Sequence, residues 1–260
     1  MRRTARRRTQ GWTALRWTIS VCLIVGVWAL VTELSDIHPT LLPSPADTVG
    51  ALVADAPFLA AHVAMTAIET VSGFLLAVAA GLLVGTMMNA SLLARDLLYP
   101  PLILSQAVPL IAVAPLILIW FGYGPLAKTL IVAFVCFFPI AVNTYEGFRR
   151  VDPSLRELLD TFGASKADRY RHLYVPAALP GIVAGAKIAA TYSVLGAVIG
   201  EWLGGSKGMG VYMQRALQSF RADRMFAAIL LVMAMSLLVF QLVAAAGWLL
   251  LPWDRRRTRA

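Results

Sequence analysis

Long apolar runs separated by polar stretches make up most of the chain, and each run is long enough for a membrane-spanning helix. Such a helix needs about 20 apolar residues, because an α-helix rises about 1.5 Å per residue. The pattern predicts six of them, at residues 17–34, 64–88, 97–120, 125–146, 178–200 and 226–251. The predicted fold class is therefore an all-α integral membrane protein with about six transmembrane helices.

Proline and glycine interrupt several of the apolar runs. Pro109 and Pro115 lie in the third run and Pro139 in the fourth, while the second contains Gly81-Leu-Leu-Val-Gly85. Transmembrane helices tolerate such residues where neighbouring groups satisfy the freed backbone. A G-x-x-x-G sequence also allows two helices to approach closely. The breaks are thus compatible with a packed helical bundle.

Composition supports a membrane protein over a soluble one. The chain has 260 residues, of which 59% are hydrophobic and 14% charged, and its mean hydropathy is +0.72. Soluble domains carry about 25% charged residues. A net charge of +9 would suggest a nucleic-acid partner in a soluble protein. Here the basic residues lie in the tails and one loop, so we predict a bilayer environment and no nucleic-acid partner.

The distribution of Lys and Arg predicts the orientation. Both tails, 1–16 and 252–260, and the loop 147–177 are basic, whereas the loop 35–63 has no Lys or Arg. The positive-inside rule therefore places both termini and the 147–177 loop in the cytoplasm of a bacterial inner-membrane protein, and 35–63 outside. The chain is thus predicted to divide into a basic tail, a first transmembrane helix 17–34, the external loop 35–63, a five-helix core 64–251 and a second basic tail. Residues 201–225 disagree, because this external segment contains Lys207, Arg215, Arg221 and Arg224.

The polar 147–177 loop has an internal pattern of its own. One face of a short helix is apolar, since hydrophobic residues recur at steps of three and four at Leu155, Leu158, Leu159 and Phe162. A second short helix is expected from Lys166 through Leu173, ending before Pro176. Gly163 lies between the two helices, where it permits a sharp turn. The apolar face has no partner within so short a loop, so we predict that it docks on another protein.

The spacing of this loop resembles the cytoplasmic EAA loop of permease subunits from binding-protein-dependent ABC importers. The family pattern is E-x-x-x-x-x-G-A followed by a hydrophobic residue and proline. This chain has Glu157, Gly163, Ala164 and Pro176 at the matching positions. Leu158 and Leu159 replace the two alanines of the family, and Val175 replaces the usual leucine. The resemblance extends over the chain from about Leu42 onward.

The resemblance implies a type I importer permease with several partners. In the family the loop inserts into a groove on a separate ABC ATPase, present in two copies. A second copy of the permease and an extracytoplasmic solute-binding protein complete the assembly. IWFGYGPLAKTLIVAFVCFFPIAVNTYEGFR and VIGEWLGGSKGMGVYM are most similar to permeases for thiamine pyrimidine precursors, within the nitrate, sulfonate and taurine group. The implied solute is of the hydroxymethylpyrimidine type; aliphatic sulfonates or taurine, nitrate and riboflavin are alternatives.

The chain itself has no pattern typical of an enzyme. GEWLGGSKG fails the phosphate-binding pattern, because a serine stands between Gly205 and Lys207. The histidines and cysteines lack metal-ligand spacing, so we predict no catalytic residue, metal or cofactor. Polar groups within or beside spans are costly in lipid and mark candidate pore or gate positions: Gln106, Asn143 and Glu201. An ion-coupled secondary transporter and a structural membrane protein are the alternatives from other classes.

Overall fold

The computed structural model describes residues 2–35 and 37–253, with the side chains of residues 2–15 and 17 left out. The predicted basic tail beyond Trp253 and most arginines of the N-terminal tail lie outside the described residues and side chains. All regular elements of the described part are helical, which confirms the predicted fold class. They are α1 Arg2–Leu34, α2 Pro45–Ala54, α3 Ala56–Ala90, α4 Leu92–Ser105, α5 Leu110–Phe121, α6 Pro125–Arg149, α7 Pro153–Thr161, α8 Lys166–Arg169, a π-helical turn Tyr170–Tyr174, α9 Val175–Gly204, α10 Met209–Gln218 and α11 Ala222–Leu250.

Four helical stretches of the described chain are long and apolar enough to cross a membrane: α3, α6, Lys166–Gly204 and α11. A fifth span is possible if α4 and α5 are counted together, although these two helices are bent by 108°. α1 contributes a shorter apolar stretch, Thr18–Leu34. Each of the six predicted segments therefore overlaps a helix or a helix pair, and within the described residues four of them meet the length and hydropathy of an uninterrupted span.

The span predicted over 97–120, with interruptions at Pro109 and Pro115, consists of the two separate helices α4 and α5. The backbone leaves the α-helix between Gln106 and Pro109. The N–H groups of residues 106–108 donate hydrogen bonds to the carbonyls three residues earlier, as in a turn. Pro109 has no N–H and does not adopt helical dihedral angles, with φ −61° and ψ 126°. A new helix, α5, then starts at Leu110. Pro109 therefore separates two helices instead of kinking one.

Two further expectations from the sequence also need correction. The helix expected to end before Pro176 continues instead, because the chain passes through the π-helical turn directly into α9. Pro176, which has no N–H to donate, comes just after the π-helical turn, where the regular α-helical bonding is already interrupted. The segment 35–63, expected as a loop, contains α2 and the start of α3. Ser44 caps α2, since its Oγ accepts a hydrogen bond from the backbone N–H of Asp47 at 3.1 Å.

The chain divides into two compact units, and the first comprises the chain up to Leu59 together with Tyr212–Leu230. A polar contact at Asp55 joins helices of this unit. The Tyr212 hydroxyl donates to Asp55 Oδ2 at 2.8 Å, and Arg224 Nη2 donates to Asp55 Oδ1 at 3.2 Å. Burial, helped by the bond to Asp55, raises the pKa of Tyr212 well above its ordinary value. Trp28 stacks on Phe226 with ring centroids 5.5 Å apart.

The second unit comprises Ala60–Val211 and the chain from Leu231 onward, and α6 packed against α9 forms its centre. Small residues let these helices approach closely. A Cβ added at Gly181 would lie 2.7 Å from the Asn143 carbonyl oxygen, and one at Gly185 would lie 2.6 Å from the Pro139 carbonyl oxygen. On the other side of α6, Gly81 of the G-x-x-x-G sequence is in close contact with Ile140. The close approach that this sequence predicted is confirmed.

We expect Gly181→Ala to destabilise the protein, because the new methyl group meets the rigid backbone of α6. Overpacking of this kind costs about 1–3 kcal/mol. Gly26→Ala is the matched control: it is also a helical glycine, and nothing lies within 4 Å of an added Cβ. Thermal unfolding of the purified protein in detergent measures both. Equal melting temperatures for the two variants would show that the α6–α9 contact is looser than described.

Candidate functional site

The α7 helix presents an uncovered apolar face. Asp152 caps the helix by accepting hydrogen bonds from the Ser154 hydroxyl at 2.8 Å and from the Ser154 N–H at 2.9 Å, and these two bonds lower the pKa of the Asp152 carboxyl. None of the residues of α7 is buried. Leu155 and Leu158 are about half exposed, and Phe162, which follows the helix, is 78% exposed. A short helix with this pattern cannot bury its apolar side within its own loop and needs another surface.

A tight turn at Gly163 fixes the direction of the chain after α7. Gly163 has φ +72°, a backbone conformation that few residues other than glycine adopt readily. Its N–H donates to the Asp160 carbonyl at 3.0 Å, and the N–H of Ala164 donates to the Leu159 carbonyl at 3.0 Å. An ion pair between Asp160 and Arg169 joins α7 to α8 across the turn. Glu157 is exposed on α7, and Pro176 follows in α9.

Tyr170 connects the loop to the long helices of the second unit. It begins the π-helical turn, and its ring lies 5.8 Å from that of Phe148 near the end of α6. Asn89, near the end of α3, donates a hydrogen bond to the Tyr170 hydroxyl at 3.2 Å. Within the same turn, the ring of Tyr174 lies 5.5 Å from the ring of Tyr170. The loop is therefore attached to α3 and α6 by side-chain contacts in addition to its covalent connections.

A cavity of about 480 Å³ lies where the backbone breaks between α4 and α5. The break and its flanking residues form one wall, and α6 and α9 form the others. Aromatic and polar residues on these walls include Ser105, Gln106, Phe134, Phe138 and Tyr192. A volume of this size suits a small organic molecule. No Asp, Glu, Lys, Arg or His is among the residues of the described chain that line the cavity.

The three candidate pore residues lie in different surroundings. Gln106 lines the cavity at the helix break. Asn143 donates to the Pro139 carbonyl at 2.8 Å and lies where α6 contacts Gly185, outside the cavity lining. Glu201 is fully buried near the end of α9. The structure thus does not bring the three together, and their roles in a pore or gate stay predictions.

Glu201 belongs to a buried polar cluster that holds the segment after α9. Its carboxylate accepts a hydrogen bond from the Thr66 hydroxyl at 2.6 Å and from the Gly210 N–H at 2.7 Å. The Met209 N–H donates to Thr66 Oγ1 at 2.8 Å, and His62 Nδ1 lies 3.0 Å from the Gly208 nitrogen. These contacts supply acceptors for the backbone N–H groups of Met209 and Gly210, which begin α10.

A buried ion pair lies in the same unit. Lys128 Nζ, on α6, is 3.1 Å from Glu69 Oε1, on α3, and the two side chains are 4% and 0% exposed. Neither residue was among the candidates taken from the sequence. The signal was present, because two opposite charges in neighbouring apolar segments are expected to pair. The cavity residues Phe134, Phe138 and Tyr192 were also missed, since aromatic residues are common throughout apolar helices.

Comparisons with known proteins agree with this architecture. A family model described as "binding-protein-dependent transport system inner membrane component" matches residues 73–247, a range that contains the 147–177 loop and the whole cavity. The crystal structure of an amino acid ABC transporter with histidines matches with a TM-score of 0.61 at 18% identity, over 77% of this chain and 96% of that chain. At this identity the likeness concerns the fold alone.

Two relatives match nearly the whole chain. The formylaminopyrimidine transport permease protein ThiX of Halalkalibacterium halodurans is 32% identical over 250 residues, which cover 95% of this chain and 99% of the relative. The putative aliphatic sulfonates transport permease protein SsuC of Bacillus subtilis is 29% identical over 256 residues, covering 97% of this chain and 92% of the relative.

We expect Lys128→Met to destabilise the protein strongly, because it leaves the Glu69 carboxylate buried without a cation. Breaking a buried ion pair in this way costs about 3–5 kcal/mol. The double variant Glu69→Leu/Lys128→Met removes both charges and is expected to regain most of the loss. Lys207→Met, at an exposed position, is the matched control. The stability of the unaltered protein and of the three variants is measured by unfolding in detergent. A Lys128→Met protein as stable as the double variant would contradict the pairing.

Proposed function

Since this chain belongs to the family of binding-protein-dependent transport system inner membrane components, and is thus an ABC importer permease subunit, we propose that it forms the translocation pathway for a pyrimidine precursor of thiamine. The solute would be an aminopyrimidine of the hydroxymethyl or formylamino type. The observation that carries this proposal is the similarity to a formylaminopyrimidine permease along 95% of the chain. Sulfonates are the second candidate, favoured by the similarity to the SsuC protein.

The exposed face of α7 is the proposed contact with the ATPase. Leu158, Leu159 and Phe162 would enter a groove on that subunit, and Glu157 with the turn at Gly163 and Ala164 would set the angle of entry. Tyr170 contacts the ends of α3 and α6, so a movement of α7 would reach both helices. Pro176 lies at the start of α9, which continues from the same loop. Closure of two ATPase subunits would thereby move the walls of the pathway.

We further propose that both termini and the α7 loop face the cytoplasm, and that two copies of the chain assemble with two ATPases and a solute-binding protein. The basic residues within 201–225 had argued against this orientation. Two of them form ion pairs within the first unit: Arg221 with Asp223 at 2.6 Å and Arg224 with Asp55 at 2.9 Å. These pairs give the two arginines a structural role in the first unit, and the proposed orientation rests on the basic residues of both tails and of the 147–177 loop, which outnumber those of 201–225.

The proposed solute is tested on the solute-binding protein of the same importer. We expect 4-amino-5-hydroxymethyl-2-methylpyrimidine or its formylamino relative to raise the melting temperature of that protein. Bound ligand stabilises a protein by about 2.7 kcal/mol at a concentration of 100 Kd. Taurine, ethanesulfonate, nitrate and riboflavin are the comparison ligands. Stabilisation by a sulfonate alone would replace the pyrimidine assignment while leaving the permease assignment intact.

The proposed ATPase contact is tested at Gly163, with two substitutions that differ only in tolerance of a positive φ. Nothing lies within 4 Å of an added Cβ, so the first carbon of either side chain meets no other atom. Asparagine accepts this conformation far better than a β-branched residue. A left-handed residue costs about 1–2 kcal/mol, so we expect Gly163→Val to lose roughly tenfold in ATPase association and Gly163→Asn to lose little.

For the two Gly163 variants, ATPase association is measured by co-purification from membranes and transport by solute uptake. Membrane insertion is the control for folding. The outcome that counts against the proposal is a full complement of ATPase on the valine variant. Equal loss in both variants would mean that any side chain at this position blocks the contact.

A further inference from the structure

The cavity at the α4–α5 break has the chemistry of a site for an uncharged ring. Its described lining contains no ionisable side chain apart from the phenol of Tyr192. Phe134 and Phe138 stand edge to face with ring centroids 4.9 Å apart, which provides aromatic surface on one wall. Tyr192 lies on the α9 wall and is 46% exposed.

The interruption between α4 and α5 indicates that the cavity is a built feature of the fold. Non-helical backbone inside a membrane protein is tolerated where it is covered by protein or lines a cavity. Residues 106–109 are such a segment, and three of them line this cavity: Gln106, Val108 and Pro109. α5 begins there without a side-chain cap, so the N–H groups of its first turn have no side-chain acceptor.

Hydrogen-bonding groups of both kinds surround the aromatic wall. Gln106 supplies an amide donor and an acceptor, and Tyr192 supplies a hydroxyl. Ser105 donates its own hydroxyl to the Leu102 carbonyl at 2.8 Å and keeps its lone pairs as acceptors. Pro139 provides no N–H for the Val135 carbonyl four residues earlier, and both residues line the cavity. An aminopyrimidine has matching groups on its edge: an exocyclic amine that donates and ring nitrogens that accept.

Charge decides between the two solute classes. An ion that leaves water for a site without a counter-charge costs several kcal/mol. The uncapped end of α5 attracts an anion, but a helix N-terminus contributes typically about 0.3–1 kcal/mol and at most about 2. This is too little to hold a desolvated sulfonate. Taurine would need a partner for its ammonium group as well, and the described lining offers no carboxylate.

We propose that this cavity is a transit site within the permease for an uncharged, planar nitrogen heterocycle, and that it disfavours sulfonates and taurine. The inference rests on the proposed function, because it names the class of solute that the same pathway passes. Gln106 at the break binds the edge of the ring, and Phe134, Phe138 and Tyr192 surround its faces. The permease thus adds a second selection step to that of the solute-binding protein.

The test uses the permease–ATPase complex in lipid nanodiscs without the solute-binding protein. Direct binding is measured for 4-amino-5-hydroxymethyl-2-methylpyrimidine, riboflavin, taurine and ethanesulfonate, and we expect binding of the heterocycles only. Gln106→Leu keeps the size of the side chain and removes its amide, so pyrimidine affinity should fall about tenfold. Gln241→Leu makes the same change at an exposed position on α11, outside the cavity, and should have no effect.

Uptake by the complete importer separates failure of this inference from failure of the proposed function. If the importer carries the pyrimidine and Gln106→Leu changes neither binding nor uptake, the transit site is wrong and the proposed function stands. If the complex binds taurine or ethanesulfonate and the Gln106 variant weakens that binding, the solute class is wrong. Tyr192→Phe supplies a second variant should the first be unstable, and riboflavin binding without pyrimidine binding would reassign the heterocycle.

Discussion

A bilayer offers no hydrogen-bond partner to an exposed peptide group, and most features of this protein depend on that constraint. It requires the long apolar runs to be helices, because only a helix satisfies its backbone within one segment. The same constraint makes the interruption at Gln106–Pro109 informative. Three N–H groups there turn back to nearby carbonyls, while Pro109 removes a fourth donor. The break therefore leaves few backbone N–H groups without an acceptor. It also opens a wall of the cavity that an unbroken helix would close.

The pair formed by α6 and α9 joins the cavity to the loop that follows α6. One stretch of this pair lines the cavity through Phe134, Phe138 and Tyr192. Farther along, Gly181 and Gly185 bring the backbones into contact, and beyond them the chain leaves α6 for α7 and returns through the π-helical turn. Two helices in backbone contact cannot shift independently without separating well-packed surfaces. A displacement of the loop would therefore be transmitted along the pair instead of being absorbed within it.

The sequence predicted the helices better than their breaks, and the loop better than the cavity. Apolar runs and the spacing around Glu157 and Gly163 are local signals, so fold class and the exposed helix α7 could be read directly. The separation of α4 from α5 and the continuation of the helix past Pro176 depend on dihedral angles that neighbouring turns decide. Gln106 was a candidate from the sequence because an amide in an apolar run is unusual. Tyr192 was not a candidate, because only the structure shows that it lines the same cavity.

Ionisable groups lie just beyond the cavity on the same helices, and this placement bears on selectivity. Lys128 precedes Phe134 by six residues on α6, or about 9 Å along the axis, and Glu201 follows Ile199, the last cavity residue of α9, by two residues. Both residues already have partners: Lys128 pairs with Glu69, and Glu201 accepts hydrogen bonds from Thr66 and from the start of α10. The buried Lys128–Glu69 pair is expensive to separate, because each residue would be left without its partner. The chain thus uses these buried groups to fix the helix ends. The cavity walls are left to aromatic and neutral polar groups, which can contact an uncharged ring and release it again.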